Sequence, residues 1–196
     1  MAILCPPCGY GFRQGVRIFD IDHMIDLTDT KLYTLENVWQ TLTPEQQADV
    51  IDFWERTGLL PKAADATERS RQVVFIVRDH RRQIVGVCSV YRQFVRRLTS
   101  QMLMFRTLID KPFRRSGIGL ELLKKTRDFF NARFIDGTDT DCIGLMVILE
   151  NRQLNAVVRR AVCPRTGFIF IGLNDRGQQM RVFYFDNAKI GADAPV

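Results

Sequence analysis

The chain has 196 residues, 46% of them hydrophobic and 26% charged, the proportions of one globular domain that buries its core without staples. Its formal net charge of +6 is moderate, and no apolar run approaches the roughly twenty residues that span a bilayer, so no membrane association is expected. The start, Met-Ala-Ile-Leu-Cys-Pro-Pro-Cys, has neither the basic leader nor the long apolar segment of a secretory signal; with five cysteines, an odd number, reduced thiols and a cytoplasmic location are the expectation.

Residues 1–15 read as a mobile N-terminal tail and 16–196 as a single domain. In the tail, Cys5-Pro6-Pro7-Cys8-Gly9 looks like half of a zinc knuckle. A structural zinc needs four ligands and no second Cys-x-x-Cys follows, so no metal is expected. Val16–Ile21 is a candidate first strand, and two helices come next, the first over Thr34–Leu42. The second opens on Thr43-Pro44-Glu45-Gln46, a capping box with proline in the first turn. Val50, Ile51, Phe53 and Trp54 mark its buried face, and Gly58 then Pro61 stop it. Lys62–Ser70 reads as a polar linker. Gln72–Val77 and Ile84–Tyr91 are β-rich runs around the polar turn Asp79–Gln83, hence a hairpin, and Met102–Ile109 extends the meander. Eight arginines fall between Arg69 and Arg97. They read as a solvated rim or as an electropositive mouth for an anionic cofactor or acidic partner. No nucleic-acid module is visible, which disfavours a nucleic-acid partner.

Beyond Lys111-Pro112, which ends the third run, lies Arg114-Arg115-Ser116-Gly117-Ile118-Gly119. Leu120, Leu123, Phe130 and Phe134 then recur at helical spacing over Leu120–Phe134. Two arginines, a hydroxyl and two glycines at a helix mouth suit a pyrophosphate. Glycine lets the backbone approach the phosphate oxygens, and the helix offers free N–H groups and its positive dipole end. A loop over Asp136–Asp141 leads to the apolar strand Ile143–Leu149, so strand–helix–strand implies a parallel pair with a right-handed crossover. Leu154–Ala161 reads as a short helix, and Gly167–Gly172 and Met180–Phe185 as closing strands around Asn174-Asp175-Arg176-Gly177. The fold class is α/β (α+β): a mixed, mostly antiparallel sheet with one parallel step in the middle, flanked by helices.

Arg114, Gly117 and Gly119 in this context resemble the signature of the GNAT superfamily of acyl-CoA-dependent N-acyltransferases: Arg or Gln, two residues, Gly, any residue, then Gly or Ala. The likeness covers roughly residues 70–186. It implies that the two parallel strands splay into a V-shaped cleft. It also implies that Arg114, Arg115, Ser116, Gly117, Ile118 and Gly119 hold the pyrophosphate of acetyl-CoA or another acyl-CoA. The pantetheine arm would pair with the main chain at Leu108 and Ile109, where an N–H would steady the oxyanion. Asn151 matches the family's asparagine at the end of the next strand.

The activity so implied is acyl transfer to an amine-bearing acceptor, a small molecule, peptide or protein, by direct attack without a covalent enzyme intermediate. A homodimer is left open. The chain departs from the best-known members in its acid–base groups. The strand position of a catalytic glutamate falls near Leu103, and Gln101–Ile109 holds no carboxylate. The position of a tyrosine acid falls near Val158 or Cys163, with Arg159–Thr166 resembling an insertion. Glu150 is the best candidate base, with Asp110 and Tyr184 behind it or an ordered water instead. Three other readings stay open. One is a catalytically silent CoA-binding or regulatory module. Another is a long-chain acyl tunnel along Met102-Leu103-Met104-Phe105. The third is a Rossmann unit, which Leu122 in place of the third glycine speaks against.

Overall fold

Hairpin connections and one helical crossover dictate how the strands can lie side by side. The computed structural model describes residues 33–58 and 63–190, which fall within one compact unit. Seven strands are described: β1 (Tyr33–Asn37), β2 (Val73–Asp79), β3 (Ile84–Val95), β4 (Ser100–Ile109), β5 (Gly144–Ile148), β6 (Ile169–Leu173) and β7 (Gln179–Tyr184). They form one sheet in the order β1-β2-β3-β4-β5-β7-β6. Every neighbouring pair is antiparallel except β4 and β5. Between those two the chain makes its crossover through a long helix, α3 (Ile118–Ile135). The other helices are α1 (Pro44–Arg56), α2 (Ala63–Ser70) and α4 (Arg152–Val157). No described helix is long and apolar enough to cross a membrane.

Alternation along β4 divides the core into two faces. Leu103 and Phe105 pack with Ile118, Leu122 and Phe130 of α3 and with Phe168 and Phe185. Met102 and Met104 turn to the opposite face, with Met146 and Val182. On that second face α1 lays Val50, Phe53 and Trp54 against Val73, Ile76 and Val87. Each large side chain so buried contributes on the order of 1.5–3 kcal/mol. The capping box fixes where α1 begins: the Gln46 N–H donates to Thr43 Oγ1 at 3.2 Å, and the Thr43 N–H donates to Gln46 Oε1 at 2.9 Å.

Several local expectations are corrected. Thr34–Leu42 is not a helix: Tyr33–Asn37 is the edge strand β1, in antiparallel register with Phe75–Asp79. Leu35, Val38, Trp39 and Leu42 have helical spacing, but pairing with β2 wins. The Asn37 side chain accepts the Trp39 N–H at 3.0 Å and ends the strand, and Gln40 sits at φ 60. The polar linker Lys62–Ser70 contains α2, an Ala-rich stretch of good helix formers that docks through buried Ala66. The expected helix Leu154–Ala161 is α4, shifted toward its N-cap Asn151 and finished by Val157. The tail of residues 1–15, with Cys5 and Cys8, and the strand Val16–Ile21 lie outside the described residues.

Candidate active site

β4 and β5 part after two register pairs. Leu103 lies opposite Leu145 and Met104 opposite Met146, and the parallel pairing stops there. Yet β4 stays paired with β3 as far as Ile109↔Gly86, and β5 stays paired with β7 as far as Ile148↔Met180. The two strands therefore diverge toward their C-terminal ends, leaving a V-shaped cleft. Which main-chain groups open into it follows from two bonds. The Asp110 N–H donates to the Val85 carbonyl at 2.8 Å, on the β3 side, and the Ile143 N–H donates to the Gln101 carbonyl at 3.1 Å, on the β5 side. By strict alternation, even-numbered residues of β4 turn their main chain to β3 and odd-numbered ones to β5. Past the divergence, Thr107 and Ile109 face the cleft. Leu108, expected beside Ile109, has its N–H and C=O on the β3 side, and Thr107 takes that place. The strand register carries this information; residue types do not.

The strand runs into the loop Arg114–Gly119 through a 3-10 turn, Lys111–Phe113, capped by Asp110, which accepts the Lys111 N–H at 2.7 Å and pairs with Arg56 at 3.2 Å. Arg115 at φ 72 and Gly117 at φ 87 reverse the chain so that it enters α3 with Gly117 as N-cap. The first helical bond runs from the Glu121 N–H to the Gly117 carbonyl at 3.0 Å. Ahead of it, the Ser116 N–H reaches the Phe113 carbonyl at 3.4 Å, and the Ile118 N–H reaches Ser116 Oγ at 3.5 Å. Among the described residues no acceptor takes the N–H of Arg115, Gly117, Gly119 or Leu120. These are the unsatisfied donors of a helix start, at its positive end. A Cβ on Gly119 would lie 3.1 Å from Ile109 Cδ1, so the first turn of α3 presses against the end of the cleft strand.

The side chains around these amides already have tasks. Arg114 Nε donates to the Ile109 carbonyl at 3.1 Å, and Ser116 Oγ donates to the Phe113 carbonyl at 2.7 Å. Arg115 Nη2 donates across the mouth to Gln153 Oε1 on α4 at 3.3 Å. Ile118 is buried in the core, and its amide already reaches Ser116 Oγ. On the other wall, Asn151 Oδ1 accepts the N–H groups of Gln153 and Leu154 at 2.8 and 3.2 Å, capping α4. Glu150, just beyond β5, is exposed; its N–H donates to the Ile148 carbonyl at 3.1 Å, and its carboxylate has no partner among the described residues.

Three of the positions weighed for an acid or base are accounted for. Leu103 is core, Val158 closes α4, and Asp110 is held by Arg56 and Lys111. Cys163 lies in the irregular stretch after α4, where Arg181, 3% exposed, donates to the carbonyls of Val158 and Arg160 at 3.1 and 2.9 Å. Burial opposes ionisation of the Cys163 thiol. Hydrogen bonds from Thr166 and the Arg165 and Thr166 amides, with the Arg181 charge, outweigh it and lower the pKa. Met102, Leu103, Met104 and Phe105, weighed as a tunnel lining, are buried in the core clusters. Part of the arginine rim is tied internally: Arg78 to Asp49 at 2.7 Å, Arg92 to Asp141, and Arg97 to the Ile171 carbonyl at 3.1 Å. Among the described residues no three His, Cys, Asp or Glu side chains converge as a metal site would require.

No family model matches the sequence, and a comparison with curated proteins finds no match. Solved structures do match. An acetyltransferase of the GNAT family from Streptococcus pneumoniae superposes with a TM-score of 0.56 at 12% identity, over 78% of this chain and 99% of that one. AtaT complexed with acetyl-methionyl-tRNAfMet superposes with a TM-score of 0.50 at 15% identity, over 78% of this chain and 94% of that one. The chain has the GNAT fold.

Proposed function

We propose that this protein is an N-acyltransferase that moves an acetyl or other acyl group from acyl-CoA to an amine. The observation that carries the reading is the junction of two features. A parallel pair splays after Met104, and its open end meets four unbonded amides at the mouth of α3. The donors suit the carrier. The N–H groups of Arg115, Gly117, Gly119 and Leu120, with the Nη groups of Arg114, would hold the diphosphate. The main chain of Thr107 and Ile109 would pair with the amide-bearing arm as a neighbouring strand does. Acyl-CoA supplies a thioester. In the transfer a C–N bond forms, the C–S bond breaks, and a proton leaves the amine while sulfur departs as thiolate or thiol. A cleft-facing N–H would steady charge on the carbonyl oxygen, and Glu150 or a water it orders would take the proton.

Calorimetric titration of the full chain with CoA tests this. Replacing both Gly117 and Gly119 with valine is expected to cost at least about tenfold in affinity, or 1.4 kcal/mol. Undiminished affinity in a folded double variant would contradict the assignment. A second reading, a CoA-binding module without catalysis, is favoured by the absence of any carboxylate on β4. Thiol release from acetyl-CoA with pooled amines separates the two, since thermal stabilisation by CoA without release supports the module.

A further inference from the structure

Arg106 occupies β4 just past the divergence, between Met104 and Leu108, on the sheet face opposite α3. Its guanidinium lies 4.4 Å from the Tyr91 ring centroid, and its Nη2 donates to Gln72 Oε1. Its Nε is buried with no acceptor among the described residues. Arg69, in the last turn of α2, lies 5.6 Å from the Trp54 ring centroid, and its Nε is buried and has no acceptor among the described residues either. Among the described residues neither arginine has a carboxylate partner. Burial, and then the Arg69 charge, make the Arg106 guanidinium easier to deprotonate than usual. Gln72 joins the two, its N–H donating to the Arg69 carbonyl at 3.0 Å while its side chain accepts from Arg106, and two like charges linked in this way, each with a desolvated donor, are costly unless something negative arrives.

The position says what that would be. The open amides of α3 lie on the other face of β4, so the acyl carrier comes from that side. An amine attacking at the divergence would then approach from the face that Arg106 occupies. We infer that Arg69 and Arg106 form an anion subsite on the acceptor side of the cleft, so that the amine acylated here carries a carboxylate, as an amino acid or a peptide terminus does. A planar carboxylate matches the fixed fork of a guanidinium. This rests on the acyl-transfer reading and adds the acceptor's charge to it.

The test is binding, so it does not depend on turnover. N-acetyl amino acids and their matching C-terminal amides are titrated into the full chain, free and with CoA, and Kd is read by NMR. O-phosphoethanolamine against ethanolamine is the phosphate arm. At least one acid is expected to bind about tenfold tighter than its amide. Arg106→Gln and Arg69→Gln are expected to reduce that ratio to about twofold or less while leaving the amide's Kd in place. If Arg106→Gln does not fold, Arg106→Lys, which keeps the charge and loses the fork, is still expected to lower the ratio about fivefold. Acids and amides binding alike, a preference that survives in both variants, or a phosphate ester outbinding every carboxylate would overturn the inference. CoA affinity on the same samples keeps the failures apart. If CoA does not bind, the acyl-transfer reading falls. If CoA binds and acids are not preferred, the subsite falls alone.

Discussion

Among the described residues three thiols sit under different physical conditions. Cys88 is fully enclosed beside Thr126, and burial pushes its pKa up to about 12; Cys142, also buried, is pushed up to about 11. Cys163 goes the other way, drawn below the ordinary thiol value by its hydrogen bonds and Arg181. The thiolate is the nucleophile, so limited iodoacetamide treatment at pH 8 is expected to label Cys163 well before Cys142 and Cys88, as read by peptide mass. Equal labelling in the native state would contradict this. The linkage signs are opposite. The raised Cys88 pKa gives stability that is complete below the unfolded thiol value and is lost as pH climbs toward about 12. The lowered Cys163 pKa gives stability present above the unfolded value and lost as pH falls through the folded one. At this scale Gly117 was legible in the sequence, because a turn at φ 87 favours a residue without Cβ. Thr107 and Arg106 were not, since each matters through the direction it faces, which the register decides.

Elements were legible where local chemistry and tertiary pairing agreed. The start of α1 is the clear case: Thr43 and Gln46 satisfy each other's backbone without help from the rest of the fold. Thr43→Ala is expected to cost about 1 kcal/mol, measured as a shift of the urea midpoint. Thr43→Asn, which restores a cap, is expected to recover most of it. Where the two levels disagreed, the sequence misled. The helical spacing of Leu35, Val38, Trp39 and Leu42 is real, but β2 offers a ladder of partners to Tyr33–Asn37 and takes them. The end of α4 was hidden for a related reason. Gln179 and Arg181, far along the chain, donate to the carbonyls of Asn155, Val158 and Arg160, drawing the backbone out of the helix. No local pattern encodes donors that arrive from β7.

Across the whole molecule, one short seam joins two leaves of sheet, β1–β4 and β5–β7. Gly144 lies at that seam: a Cβ there would meet the Phe183 carbonyl and the Met102 side chain, the latter at 2.9 Å. Gly144→Val is expected to destabilise the protein by about 3 kcal/mol or more, seen as a large fall in Tm. Gly137→Ala, in a loop with open space around it, meets only the backbone strain of φ 82 and is expected to cost about 1–2 kcal/mol. The overall topology was legible because hairpins and a crossover leave few alternatives. The shortness of the parallel pairing also governs which insertions and deletions the gene can tolerate. Leu103 and Met104 lie opposite Leu145 and Met146 and point to opposite faces. Losing or gaining one codon ahead of them would swap leucine and methionine between two differently shaped cores and turn Thr107 and Ile109 away from the opening. The bend at Arg96–Thr99, outside the ladder, has no such parity to keep. Length variation is therefore expected to collect in loops such as that one and to spare the ten residues of β4.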